Sequence, residues 1–277
     1  RQVDTQSFIG AVGNYSINDS TALDFSAEYL LFKDYRLSAT LRTKLFEAHY
    51  SRSFFEPSLI DQYYYGNQFQ WQNSFENTIV DEIGGNIPLK LGKHHIRPFA
   101  KLQRIENLIY SDESALPAQS GTAISLFQLG LQNQGVLGGH WHYRSQFTFT
   151  QNDAEAQLPM PDMMAQLQVY FQKQFFDGAF PAQIGLDASW NSAYFAPAYQ
   201  PVLQRFYLQN RYQIGNYPTV DFFVNGTIQS ATIFLKMTNI LQPLLGEGYF
   251  STIGYMAQPT QFEFGFSVSI IFFRSLI

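Results

Sequence analysis

Residues 35–45 read Tyr35-Arg36-Leu37-Ser38-Ala39-Thr40-Leu41-Arg42-Thr43-Lys44-Leu45. Leu37, Ala39, Leu41 and Leu45 share one parity, with Thr43 among them, and Arg36, Ser38, Thr40, Arg42 and Lys44 hold the other. Successive side chains of a β-strand point to opposite faces, so this stretch predicts a strand with one apolar and one cationic face. The same period recurs on both sides of it. Leu23, Phe25, Ala27, Tyr29 and Leu31 alternate with Asp24, Ser26 and Glu28. Trp141, Tyr143, Phe147 and Phe149 alternate with His140, His142, Arg144, Gln146 and Thr148. Met163, Ala165, Leu167, Val169 and Phe171 alternate with Gln166, Gln168 and Gln172. Ile184, Leu186, Ala188 and Trp190 alternate with Gln183, Asp187, Ser189 and Asn191, Phe206, Leu208, Tyr212 and Ile214 with Arg205, Gln209, Arg211 and Gln213, and Phe262 to Phe272 close the series.

Weaker alternation near 5–16, 68–80, 82–91, 95–106, 122–132, 219–227 and 230–240 brings the total to about 14 segments of about 9–13 residues. Helical periodicity is nearly absent. Short links carry turn chemistry, as in Asn18-Asp19-Ser20 and Gly92-Lys93. Gly135-Val136-Leu137-Gly138-Gly139 reads as a hairpin turn, with no phosphate-loop Lys or helix after it. Longer links at about 50–66, 110–121, 152–162, 194–202 and 241–260 are richer in Pro, Tyr and Ser. Hairpins with a short-turn end and a long-loop end are the expectation, in a single domain covering 1–277.

Charged residues make up 14% of the chain and aromatics 17%, with 27 Phe, 17 Tyr and 3 Trp. Ordinary soluble domains carry about 25% charge. Mean hydropathy is still −0.16, because Gln, Asn, Ser and Thr fill the places that charge normally takes. Disordered chains are charge-rich and aromatic-poor, so disorder is excluded. With 17 Lys+Arg against 22 Asp+Glu and a pI near 5.5, nucleic acid is not the expected partner. Cysteine is absent, which removes disulfides, Cys-ligated zinc and thiol chemistry. No run approaches the 18 or more apolar residues of a membrane helix, and no basic-then-apolar signal peptide opens the chain. It begins at Arg1 rather than Met, as a processed chain or a piece of a longer one does.

A soluble sandwich or a large lipid-binding barrel also alternates, but soluble strands average about 5–6 residues. Segments of about 10 residues match the length of a tilted strand crossing a hydrocarbon core. The polar parity is rich in Gln, Ser, Thr and Asn rather than Lys and Glu. The apolar parity is aromatic, with Tyr29, Trp71, Tyr143, Trp190 and Tyr212 near strand ends, as interfacial girdles require. In lipid every backbone N–H and C=O needs a partner, so strands span only as a closed barrel. The fold class expected is therefore an all-β antiparallel transmembrane β-barrel, with membrane lipid as its first partner.

Several spaced elements then look familiar. Tyr194-Phe195-Ala196-Pro197-Ala198-Tyr199-Gln200-Pro201 leads into Phe206-Tyr207-Leu208-Gln209-Asn210. Ile214-Gly215-Asn216-Tyr217-Pro218, Asp221-Phe222-Phe223-Val224-Asn225 and Phe262-Glu263-Phe264-Gly265-Phe266 follow. Tyr65-Gly66-Asn67-Gln68-Phe69-Gln70-Trp71-Gln72-Asn73-Ser74-Phe75 belongs with them. The pattern, over most of 60–273, resembles the "putative porin" family of outer-membrane proteins of the Bacteroidetes. That resemblance implies a place in the outer membrane and a role in transport. It also implies a longer chain with further strands on the N-terminal side, so that this sequence is the C-terminal part of a larger barrel. Arg274-Ser275-Leu276-Ile277 departs from the terminal aromatic that such barrels commonly carry.

Arg36, Arg42 and Lys44 share the inner parity of one segment and are candidate pore-lining cations, together with Arg144, Arg205 and Arg211. Pairing with neighbouring carboxylates such as Asp24 and Glu28 is the plainer reading of the first three. His94-His95 and His140-x-His142 lack a third metal ligand. Asp81-Glu82, Asp112-Glu113 and Asp153-x-Glu155 are read as solvated acids near turns, and no GxSxG is present. Asn-x-Ser/Thr matches at Asn14, Asn18 and Asn225 are incidental on strands or tight turns. No enzyme activity, cofactor or metal is expected. The favoured function is passive diffusion of small polar solutes. The alternative is a scaffold with a plugged lumen, docking other outer-membrane proteins or lipoproteins through its long loops. A transporter for hydrophobic substrates would need an apolar lumen, which the Gln-rich parity opposes.

Overall fold

A computed structural model describes residues 7–268 of the 277-residue chain, except Phe32 and Glu247. The terminal Phe272-Phe273 and the tail after it lie outside the described residues. The fold is a fourteen-stranded sheet in which all strands but one follow in chain order. In that order they are β1 (Phe8–Asn18), β2 (Thr21–Leu30), β3 (Tyr35–Arg42), β4 (Glu47–Phe55), β5 (Thr78–Asn86), β6 (His94–Glu106) and β7 (Ile124–Gly138). They continue as β8 (Trp141–Asn152), β9 (Met163–Phe175), β10 (Phe180–Asn191), β11 (Thr219–Ile228), β12 (Ala231–Thr238) and β13 (Gln261–Val268). Every neighbouring pair is antiparallel. The short strand Leu89–Leu91 pairs with the start of β6. Among the described residues no ladder joins β1 to β13.

The two ends of the sheet differ in their connections. At one end the links are tight: 19–20, 43–46, 87–93, 139–140, 176–179 and 229–230. Ser20 N–H donates to Asn18 Oδ1 at 2.9 Å, closing an Asx turn at the first. Gly139, with φ +55°, supplies the left-handed residue of the β7–β8 turn. At the other end, beyond the short link 31–34, lie the loops 56–77, 107–123, 153–162, 192–218 and 239–260.

Register carries the alternation from strand to strand. Phe25, Ala39, Tyr50, Ile83, Leu102 and Phe127 form one continuous outward row from β2 to β7. Among the described residues no other element covers this face, and it stays exposed, with Phe262, Phe264 and Phe266 more than 60% accessible on β13. A soluble sheet buries such a face against a second layer. Trp141 meets Phe171 edge-on at 5.6 Å near the turns, and Tyr29 and Trp190 stand near the loops, so aromatics flank the band at both ends. Trp71 and Tyr212, expected in the same girdles, instead sit in loops 56–77 and 192–218.

Three expected strands are corrected. The alternating stretch around Arg205–Ile214 is part of loop 192–218 and holds only the short strand Arg205–Tyr207, paired to Ala198–Gln200. Pro197, Pro201 and Pro218 bracket it, and its own donors are used within the loops: Gln209 Oε1 accepts the Arg211 and Tyr212 N–H groups at 3.0 Å, and Ser111 O accepts the Leu208 N–H at 2.9 Å. The expected strands 68–80 and 82–91 are one strand, β5, with Gln70–Gln72 left in a loop hairpin.

Candidate functional site: the polar concave wall

The inner parity arranges amides in rows. Arg97, Gln132, Gln146, Gln166, Ser189 and Thr219 face one another from β6 to β11. The next row runs through His95, Gln134, Arg144, Gln168, Asp187 and Asp221. A primary amide carries donors and acceptors, so such rows bond sideways and still offer groups to water or solute. Gln132 Nε2 donates to Gln146 Oε1 at 3.4 Å, and Gln183 Nε2 to Gln172 Oε1 at 3.1 Å. Together the rows floor a cleft of about 620 Å³ spread over β6 to β10, with Lys90 at its rim. The polar parity is also the side on which Ile105, Ile124, Leu126, Thr148 and Thr150 are buried beneath the loops, which makes it the concave one.

Charge on this face is largely paired across strands. Arg42 binds Asp24 and lies 3.6 Å from Glu47 Oε1. Glu82 is a hub: His49 Nε2 lies 2.9 Å from Oε1, and Lys101 Nζ (3.2 Å) and Gln103 Nε2 (2.6 Å) approach Oε2. Lys236 Nζ holds Asp221 Oδ2 at 2.7 Å. In the cleft, Lys90, His95, Arg97 and Arg144 gather, with Asp187 at the far side. Arg144 lies over the buried Tyr170 ring at 5.8 Å, and His142 stacks on the same ring at 5.3 Å.

Toward the long loops the inner parity turns apolar or small, and it is covered. Ile105, Ile124, Leu126, Thr148 and Thr150 are buried there. The covering loops bind one another: Arg205 pairs with Asp61, and Asn210 Nδ2 donates to Glu113 Oε1 at 2.8 Å. Leu208 N–H donates to Ser111 O at 2.9 Å, and Thr252 Oγ1 to Pro197 O at 2.5 Å. These contacts join loops 56–77, 107–123, 192–218 and 239–260, whose strands stand far apart in the sheet. They meet only across its concave side. Burial within this cluster pushes the Tyr194 hydroxyl above its usual range.

The candidate cations fall in different places. Arg36 and Arg144 stand on the inner wall, Arg36 opposite Glu28 and with Nε 3.4 Å from Ser53 Oγ. Arg42 closes β3 in its carboxylate pairs. Lys44 is not on the strand: Thr43 Oγ1 accepts the Leu45 and Phe46 N–H groups at 3.2 and 3.0 Å and turns the chain there. Arg205 and Arg211 belong to loop 192–218, where Gln209 turns the chain, and Arg205 fastens the loop cluster. Asp81 and Glu82 are no turn acids. They sit inside β5 on opposite faces. No motif in the sequence marks Lys101, Arg97, Asp187, Asp221 or Lys236, although each shares the parity of its amide neighbours. Among the described residues no group of three metal ligands forms.

The sheet and its polar concavity define a class, the outer-membrane β-barrel, and solved structures bear this out. The pyoverdine outer membrane receptor FpvA from Pseudomonas aeruginosa superposes with a TM-score of 0.60 at 14% identity, over 96% of this chain and 42% of its own. The FrpB iron transporter from Neisseria meningitidis gives 0.58 at 10% identity, over 94% and 44%. The siderophore receptor PiuA from Acinetobacter baumannii gives 0.57 at 12%, over 93% and 42%. The chain thus spans less than half the length of these receptors, and at such identities the likeness is one of fold. No curated protein matches the chain. The family model described as "Putative porin" matches residues 1–273, and the chain belongs to that family, a protein of the bacterial outer membrane.

Proposed function

We propose that this chain forms the wall of a passive pore for small polar, mainly uncharged solutes. The observation that carries the reading is the unbroken row Arg97–Gln132–Gln146–Gln166–Ser189–Thr219. An amide row exchanges hydrogen bonds with hydroxylated solutes without holding them tightly, as conduction requires. Paired charges leave little net field along most of the wall, and the Lys90–His95–Arg97–Arg144 group gives the cleft an anionic preference. No bond is made or broken in this reading, and no cofactor is used. The pore-lining residues are Arg36, Arg42 and Arg144, joined by Arg97 and Lys101.

A second reading, a loop-covered scaffold, is supported by the cluster around Arg205–Asp61. Liposome swelling with the natural full-length protein separates the two. The pore reading expects swelling in small neutral sugars, falling with sugar size. Liposomes that stay rigid in the smallest sugar would favour the scaffold.

A further inference from the structure

The outward parity of the wall is apolar almost throughout. Among the described residues its charged members are Arg52, Asp81, Arg104, Glu106 and Lys173. Lys173 stands alone near the turns. The other four stand together on β4, β5 and β6, near the loops. Arg52, Asp81 and Arg104 are direct cross-strand partners in a single row. Arg52 Nη1 lies 3.6 Å from Asp81 Oδ1, and the Tyr50 hydroxyl donates to the same oxygen at 2.7 Å. Arg104 Nη2 lies 3.0 Å from Glu106 Oε1. One outward row nearer the loops, Tyr35 stacks on Phe54 at 5.1 Å.

Depth makes this cluster informative. A lipid-facing Arg is costly at the bilayer midplane and tolerated near the interface. Arg52 and Asp81 lie three residues from the loop ends of their strands, Phe55 and Thr78. At about 3.3 Å per residue along a tilted strand, the row sits within about 10 Å of that edge. The same row continues as Ser125 on β7, whereas the row beneath is Tyr50, Ile83, Leu102 and Phe127. The arginines therefore mark the upper boundary of the apolar band. Both remain open, with side chains 41% and 62% accessible. The carboxylates hold them at the surface without covering them.

We propose that Arg52 and Arg104 form a binding site for the phosphate of an outer-leaflet glycolipid. Guanidinium forks match phosphate oxygens in geometry and charge. Asp81, itself held by Tyr50, sets the position of Arg52, and the Tyr35–Phe54 stack, on the loop side of the arginines, lies against the sugar. Lipid is the occupant because the site is continuous with the apolar rows that already face acyl chains. The inference rests on the membrane-spanning reading, with the long loops on the outer side, and not on an open pore.

The test uses the full-length protein in detergent, titrated with bisphosphorylated lipid A and followed by native mass spectrometry. Wild type is expected to retain this lipid about tenfold or more better than the same lipid A stripped of both phosphates. The R52Q/R104Q variant should lose that preference, and Lys173→Gln should keep it. Heat-modifiable migration confirms that each variant is folded. Excess inorganic phosphate should not displace the lipid, because the acyl contacts are absent from it. Equal retention of phosphorylated and phosphate-free lipid A by wild type overturns the proposal without any variant. So does unchanged retention by folded R52Q/R104Q, or a loss with Lys173→Gln as large as theirs. Swelling activity is independent of all these outcomes, so failure here and failure of the pore reading are distinguishable.

Discussion

At the scale of single residues, the inner wall is governed by a few close contacts. Glu82 gathers His49, Lys101 and Gln103 around one carboxylate. Glu82→Gln removes that negative charge and leaves Lys101 uncompensated. In the pore reading the reversal potential across a salt gradient shifts toward anion selectivity, and an unmoved potential would show that Glu82 does not face the conducting path. Gly185 faces Tyr170 so closely that an added Cβ would stand 2.5 Å from Val169 O and 2.6 Å from Tyr170 Cβ. Neither atom is the end of a flexible side chain. Gly185→Ala should therefore lower unfolding stability by about 1–3 kcal/mol, read as a drop in the temperature at which heat-modifiable migration is lost. An unchanged temperature would mean that β9 and β10 lie farther apart than described.

At the scale of elements, the sequence is legible where period and turn chemistry coincide. Residues 163–175 alternate apart from Met164, Tyr170 and Lys173, end in a tight turn, and form β9. The division into a short-turn end and a long-loop end follows from Asn18-Asp19-Ser20 and Gly138-Gly139 on one side and the Pro- and Tyr-rich links on the other. Period alone does not separate a wall strand from a loop hairpin. Arg205–Ile214 alternates as well as β9 does, yet the turn made by Gln209 and the Arg205–Asp61 pair place it among the loops. Register is also invisible in a single chain, so the meeting of Gln132, Gln146 and Gln166 could not be read beforehand. Lys44 was misplaced because Thr43 passes as a member of the apolar parity while its hydroxyl makes the turn. For the loop cluster, Arg205→Ala leaves Asp61 mostly covered without its cation. Loosening of the cluster by about 1–3 kcal/mol is expected, seen as faster proteolysis within 192–218 while the wall stays intact. Proteolysis at the wild-type rate would show that the pair holds nothing closed.

At the scale of the whole molecule, the two faces of one sheet meet two solvents. The outward face keeps aromatic and aliphatic side chains exposed, and the concave face keeps amides and paired charges. A protein with this division is stable only when lipid covers the first face and water fills the second. These 277 residues hold no cysteine, so once any cysteine elsewhere in the full-length protein is replaced by serine, each introduced thiol reports its own position. Single cysteines placed in turn at 165–170 of the full-length protein in liposomes, then offered a membrane-impermeant thiol reagent from both sides, report water contact along β9. Modification should alternate: fast at Gln166 and Gln168, slow at Ala165, Leu167 and Val169, with the buried Tyr170 position slowed by its packing. Uniform labelling across these positions, or fast labelling at Leu167 and Val169 with Gln166 and Gln168 protected, would contradict the account.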